Sequence, residues 1–345
     1  MSVDLADVPH PRDRPILVGH EAPARSVAEA ARAGRLHHAW LIGGPEGIGK
    51  ATLAYRIARR LLAPAAEHVS SADGLGTDPD DRTARQVAAS AHPNLVVLER
   101  GQGDGEKAAP RTISVEQIRK ALGLFTSTAA DGGRRICIID PVEDLTVPAA
   151  NALLKTIEEP PAGALILIVT HAPHRVLPTI RSRCRKLMLG PLQETEVATV
   201  LNSLAPAIGE PDAALLGRAV ALAEGSVRRA LTMLDPARIE TIAEVNRLLD
   251  RLPELATSRV LALGERLADR RRPEDFALAL DAVQRWLALK VEANQGLGPA
   301  RLAPLAEVCE KLTDAAREVE TYNLDRRAFV MTSFGDLAEA VRRAA

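Results

Sequence analysis

Aromatic residues are scarce: Phe, Tyr and Trp make up 2% of the 345 residues. Platforms that stack the bases of a single strand need several such rings, so a stand-alone single-strand binder is disfavoured. Cysteine is scarce too. Cys137, Cys184 and Cys309 are scattered, odd in number and without C-x-x-C spacing, which argues against a disulfide framework and against a zinc site. Neither sign of charge dominates, since 44 Lys and Arg face 45 Asp and Glu for a net charge of −1. That is not the basic body of a protein that holds nucleic acid by itself. No run of ~18 apolar residues occurs, and the first residues carry no apolar signal core. The expectation is a cytoplasmic chain with no membrane partner.

What is present is ample core material. Hydrophobic residues make up 46% of the chain, enough for the two or three domains that this length suggests. One stretch organises the rest: residues 41–52 read L-I-G-G-P-E-G-I-G-K-A-T. This is a strand end, a glycine-rich turn and a helix start in the pattern G-x-x-x-x-G-K-[ST], a phosphate-cradling loop. Gly44, Gly47 and Gly49 let backbone N–H groups turn inward without a Cβ clash. The helix N-terminus adds partial positive charge and Lys50 a full one. The hydroxyl that should reach Mg²⁺ is missing, because Ala51 stands there. Thr52 lies one residue later, rotated by about 100° on a helix.

A second departure lies at the end of the apolar run 135–140. Asp140 stands where a strand-end aspartate would help to hold Mg²⁺, but Pro141 follows it and has no acid or base function. Losing a positioned base costs ~10²–10⁴ in rate. These two positions together predict a nucleotide-site fold that has lost its hydrolytic chemistry, with ATP or ADP still able to occupy a degenerate site. Other residues carry a functional and a bland reading side by side. Asp140 is a cation ligand or a strand-end turn residue. Thr170 either bonds a γ-phosphate or caps a turn. Arg183 in Ser182-Arg183-Cys184 is either solvated or donated across an interface to a neighbour's γ-phosphate, a contact worth ~10³–10⁵ in turnover. Arg228 either bridges to a bound phosphate or makes a surface ion pair.

In chain order, the pattern predicts a helix over 22–33, a strand leading into the glycine loop, and a helix over 50–62. Residues 63–92 read as loop, 95–98 as a strand and 101–111 as an exposed loop. Ser114 with Gln117 predicts a capped helix start. Strands follow at 135–140 and 164–170, separated by a helix from Asn151 that stops at Pro160 and Pro161. His37 and His38 are expected to point to different sides and to bind no metal. Apolar strands alternating with helices predict an α/β domain with a covered parallel sheet. From Gln193 onward only helices are expected. The predicted organisation is a P-loop domain over 1–190, a small helical lid over 191–238 and an all-helical collar over 239–345.

Three further stretches matter, the last two more specific than the glycine loop alone: His37-His38-Ala39-Trp40-Leu41-Ile42, the helix Asn151 to Pro161 (N-A-L-L-K-T-I-E-E-P-P), and Leu177 to Cys184 (L-P-T-I-R-S-R-C). Together they resemble bacterial DNA polymerase III clamp-loader subunits of the AAA+ class. The resemblance covers about residues 15–235 and continues more weakly to Tyr322-Asn323-Leu324-Asp325-Arg326. It implies a member of a ring that opens a sliding clamp and loads it on primed DNA, with gamma/tau and delta subunits as partners. It implies that Arg183 is an arginine finger acting in trans, that Thr170, with His171 as a rival, is sensor 1, and that Arg228 is sensor 2. The ATP-hydrolysing gamma/tau members keep the hydroxyl and the glutamate that Ala51 and Pro141 replace here, so the isolated chain is expected not to be an ATPase. Many members carry a four-cysteine zinc module after the glycine loop. Residues 63–92 hold no cysteine, so no zinc is expected. The rival readings are an active gamma/tau-type ATPase, with Thr52 and Glu143 taking over the missing roles, and, more weakly, a small-molecule P-loop kinase.

Overall fold

The computed structural model describes residues 5–100, 112–123, 125, 133–269, 271–294, 296 and 298–344. The exposed loop expected over 101–111 lies outside the described residues. The chain divides into two compact units, residues 2–232 and 233–345.

The first unit is α/β. In order it contains α1 (Glu21–Arg32), β1 (Ala39–Gly43), α2 (Lys50–Leu62), α3 (Arg82–Ala88), β2 (Leu95–Glu99), α4 (Val115–Gly123), β3 (Arg135–Asp140) and α5 (Val147–Glu158). Then come β4 (Ala164–Thr170), α6 (Pro178–Arg183), β5 (Arg185–Met188), α7 (Glu194–Ile208), α8 (Ala213–Leu222) and α9 (Val227–Thr232). The five strands form one parallel sheet in the order β2-β3-β4-β1-β5. Every residue of β1 and β4 is buried, which explains their unbroken apolar runs. Alternate residues serve opposite faces. Trp40, Ile42, Ile138 and Leu167 pack with α1 and α2 through Val27, Leu53 and Ile57. Leu41, Ile139, Ile166 and Ile168 pack with α4, α5 and α6 through Ile118, Leu153 and Ile180.

The second unit is helical throughout its described residues: α10 (Pro236–Asp250), α11 (Thr257–Leu267), α12 (Pro273–Ala293), α13 (Pro299–Tyr322) and α14 (Arg326–Ala344). Val245, Leu263, Phe276, Leu312 and Phe334 are all buried. Asp275 is buried as well and is paired with Arg238 at 3.1 Å.

Three expectations need correction. Residues 63–92 are not all loop. Thr83, Ala84 and Val87 are buried on α3, a helix of 7 residues that is too short to show clear periodicity. The helix expected from Asn151 begins a turn earlier, because Thr146 accepts from Ala149 N–H (3.4 Å) and Pro148 suits the first turn. His37 and His38 do not diverge. They precede β1, so strand alternation does not apply, and their rings stack at 4.2 Å. His38 Nε2 donates to Ile157 O (2.9 Å). Ser114 caps α4 as expected: Gln117 N–H donates to Ser114 Oγ (3.3 Å), and Ser114 N–H donates to Gln117 Oε1 (2.8 Å). Among the described residues no helix is long and apolar enough to cross a membrane.

Candidate functional site

At the C-terminal ends of the parallel strands the first unit holds a cleft of about 430 Å³, within the size range of small-molecule sites. The glycine loop from β1 to α2 forms its floor. Its backbone requires glycine: Gly47 and Gly49 have φ of +77° and +99°, a region that side chains disfavour. A Cβ on Gly44 would lie 2.3 Å from Leu189 O, and one on Gly47 would lie 2.3 Å from Ser226 Oγ. The second contact marks where the turn into α9 presses on the loop. Val227 N–H donates to Gly47 O (2.9 Å), and Arg228 reaches Glu46 at 3.4 Å. From the other side His20 Nε2 donates to Ile48 O (2.8 Å).

Lys50 is only 3% exposed. Its ammonium donates to Gly44 O (2.8 Å) and to Pro45 O. Burial pulls its pKa down to about 8, against the opposing pull of Asp140, Glu46 and Glu143. Asp140 faces the same cleft and pairs in register with Glu99 on β2. Burial, reinforced by the Glu99 charge, pushes its carboxyl up to about 6. Glu99 itself lies 3.3 Å from His10 Nε2.

The sequence-predicted residues separate into two groups. Gly47, Gly49, Lys50, Ala51, Thr52, Asp140, Pro141 and Arg228 all line the cleft, and Gly44 shapes the loop beneath it. Thr170 does not line it. It is fully buried, and its hydroxyl donates to Glu143 Oε1 (2.5 Å). The same oxygen accepts from His171 N–H (2.9 Å) and Ala172 N–H (2.8 Å). Burial alone would raise the pKa of Glu143, but the Thr170 hydroxyl and the Ala172 N–H outweigh it and hold the carboxyl below its usual range. At the level of Thr170 the cleft wall is Val169 and His171. His171 Nδ1 is buried without a hydrogen-bond partner, and burial and the Lys50 charge lower its pKa. Arg183 ends α6 and does not line this cleft. Its guanidinium is part-exposed, donates to Thr179 O (3.1 Å) and pairs with Glu158 at 2.9 Å.

The sequence reading missed one residue, Glu99, and the partners of two that it named. Glu99 ends β2 as Asp140 ends β3, and two strand-end acids were the available signal. His171 was visible only as a rival to Thr170. Glu143 meets Thr170 across 27 residues of sequence, a pairing that the strand ends create and that local pattern does not reveal. A buried ammonium in a glycine loop and Arg228 suit an anion, beside the carboxyls of Glu46, Glu99 and Asp140 in the same lining. Ala51 offers no hydroxyl to Mg²⁺, and Asp140 holds its proton up to about pH 6. Among the described residues no three His, Cys, Asp or Glu side chains are grouped as metal ligands.

The sequence family described as DNA polymerase III, delta subunit, matches residues 19–193. The chain is 38% identical to DNA polymerase III subunit delta′ of Pseudomonas aeruginosa over 189 residues, which is 55% of this chain and 53% of that protein. It is 30% identical to DNA polymerase III subunit tau of Salmonella typhimurium over 323 residues, covering 88% of this chain and 47% of that protein. The chain thus spans about half the length of the curated relatives it matches. Among solved structures, a gamma-subunit-related protein from Thermotoga maritima superposes over 95% of this chain and 100% of its own, with TM-score 0.39 and 18% identity. The Thermotoga maritima RuvB branch-migration motor superposes over 86% of this chain and 85% of its own, with TM-score 0.43 and 18% identity.

Proposed function

Because the chain belongs to the DNA polymerase III clamp-loader family, we propose that it acts as a delta-prime-type subunit, one that does not turn over ATP to a useful extent itself. In this reading its cleft is a degenerate nucleotide site for ATP or ADP. The chain joins gamma/tau and delta subunits, and the assembled complex loads the sliding clamp on primed DNA. Arg183 is the cation it lends to a neighbour's γ-phosphate. Residues 191–238 serve as the lid and 239–345 as the assembling collar.

The observation that carries this reading is what stands around Lys50. The glycine loop is intact, yet Ala51 and Pro141 leave no hydroxyl for magnesium and no carboxylate directly after Asp140 to orient water. Glu143, the acid that the ATPase reading needs as a substitute, is bound to Thr170, His171 and Ala172 instead. The exposed edge of Arg183 is compatible with a role outside its own cleft. Its ion pair with Glu158 is of the surface kind, worth ~0–1 kcal/mol, and is readily exchanged for a phosphate.

A gamma/tau-type ATPase is the second reading, favoured by the long match to tau. It requires Thr52 to stand in for the missing hydroxyl and Glu143 to leave Thr170, His171 and Ala172. The test is Arg183→Ala in a loader reconstituted with its partner subunits. ATP hydrolysis by the assembly is expected to fall by ~10³ or more at the neighbouring site, while gel filtration shows assembly unchanged. An unaltered rate removes Arg183 from the mechanism.

A further inference from the structure

One wall of the cleft does not belong to the sheet. Residues 8–11, 14 and 16–18 line it, and this segment contains no strand, only the short turn Pro11–Asp13. Pro9, Pro11 and Pro15 have no N–H to give to a ladder. Side chains of α2 hold the segment instead. Arg59 donates to Arg12 O (2.9 Å) and Arg14 O (2.5 Å), and Arg56 donates to Pro15 O (2.5 Å). Leu17 reaches the glycine loop itself, its Cδ1 lying 3.8 Å from where a Cβ on Gly49 would stand. The segment thus closes onto the loop.

Where the segment meets α1, Gly19 and His20 are both left-handed, with φ of +69° and +63°. Two such residues in succession turn the chain sharply. The His20 ring, bonded to Ile48 O (2.8 Å), fixes that turn to the glycine loop. Arg59 is 4% exposed, and its bonds to the segment end on carbonyls, not on carboxylates. Burial pulls its pKa down to about 10. Desolvating a charge is costly, so closing the segment over Arg59 offsets much of what these hydrogen bonds supply. Elements held by a few such contacts open far more readily than the core. A ligand in the cleft meets Val8, Leu17 and Val18 on the segment and so favours its closed position.

We propose that residues 8–18 are a strap that swings about Gly19 and His20 to admit a nucleoside phosphate, and that Arg59 is the positioning residue that latches it shut. This rests on the reading of the cleft as a nucleotide site. The test follows the full chain by hydrogen–deuterium exchange, with ADP binding measured separately by calorimetry. Without ligand, residues 8–18 should exchange faster than α2, and saturating ADP should slow them about tenfold or more. Stopped-flow mixing with ADP carrying a fluorescent methylanthraniloyl group then probes the latch. Arg59→Met keeps a buried stem and removes the charged fork. Release should quicken about tenfold, the size of effect that losing a charged donor implies, and entry should quicken with it. A pocket that was merely loosened would empty faster without filling faster. A thermal melt checks that the variant is folded. If it is not, Arg59→Lys, which keeps the charge but not the fork that spans two carbonyls, should show the same changes to a smaller degree. If ADP binds yet leaves the exchange of residues 8–18 unchanged, or if a folded variant fills and empties like the parent, the strap is overturned and the nucleotide site stands. No binding of ADP overturns both.

Discussion

Asp140 sits at the end of a buried strand, paired in register with Glu99 and facing Lys50 across the cleft. Its carboxyl is pushed from the ordinary 3.8 up to about 6, by burial first and by the Glu99 charge second. The sign of the consequence follows from proton counting. Between those two values the folded chain binds more protons than the unfolded chain, so stability falls as pH rises through the window and levels off above it. Asp140→Asn removes that slope. The variant is expected to match the parent near pH 4 and to be more stable by about 1–2 kcal/mol at pH 7.5, read from urea unfolding at both pH values. Identical pH slopes in parent and variant would show that Asp140 titrates alike in the folded and unfolded chain. As a strand-end acid Asp140 was legible in the sequence, and so was the absence of a glutamate at 141. Its charge state was not, because that depends on Glu99, 41 positions earlier, and on burial beneath the N-terminal segment. What Glu143 binds was illegible for a similar reason. Its partners are the end of β4, and only the order of strands in the sheet makes them neighbours.

The glycine loop and the turn into α9 hold each other in place. Gly47 accepts from Val227 N–H, and its Cα lies where any Cβ would be 2.3 Å from Ser226 Oγ and 2.6 Å from Arg228 Cβ. Gly34, at the end of α1, has a similar positive φ of +66° but nothing within 4 Å of the same position. The two glycines therefore separate backbone strain from packing. Gly34→Ala should cost only about 1 kcal/mol, the backbone part alone. Gly47→Ala should cost about 2–4 kcal/mol, with the clash added. Chemical unfolding of the two variants side by side measures the difference, and equal losses would mean that α9 does not bear on the loop. The strands, α2 and the cap at Ser114 were readable because a buried parallel sheet demands unbroken apolar runs and a cap is local chemistry. The helix α3 was not, since seven residues with three buried positions look like a loop until tertiary burial favours them.

At the scale of the whole chain, the parallel sheet with its glycine-loop cleft and the run of helices after the last apolar strand were legible, whereas the division between the two units at 232/233, which leaves α7 to α9 with the sheet, was not. The family was legible from three stretches, His37 to Ile42, Asn151 to Pro161 and Leu177 to Cys184, and the match over residues 19–193 contains all three. A role for Arg183 cannot be read from one chain alone, because the group it would meet belongs to another subunit. What one chain does display is an intact glycine loop with Ala51 after Lys50 and Pro141 after Asp140, all lining one cleft. The most direct test of that pairing is single-turnover ATP hydrolysis by the purified full chain, in excess over nucleotide and without partner subunits, with magnesium present. The expected result is no hydrolysis above the rate of an Lys50→Ala variant. A rate well above that variant's, lost again on replacing Glu143, would contradict it and identify the chain as an ATPase in its own right.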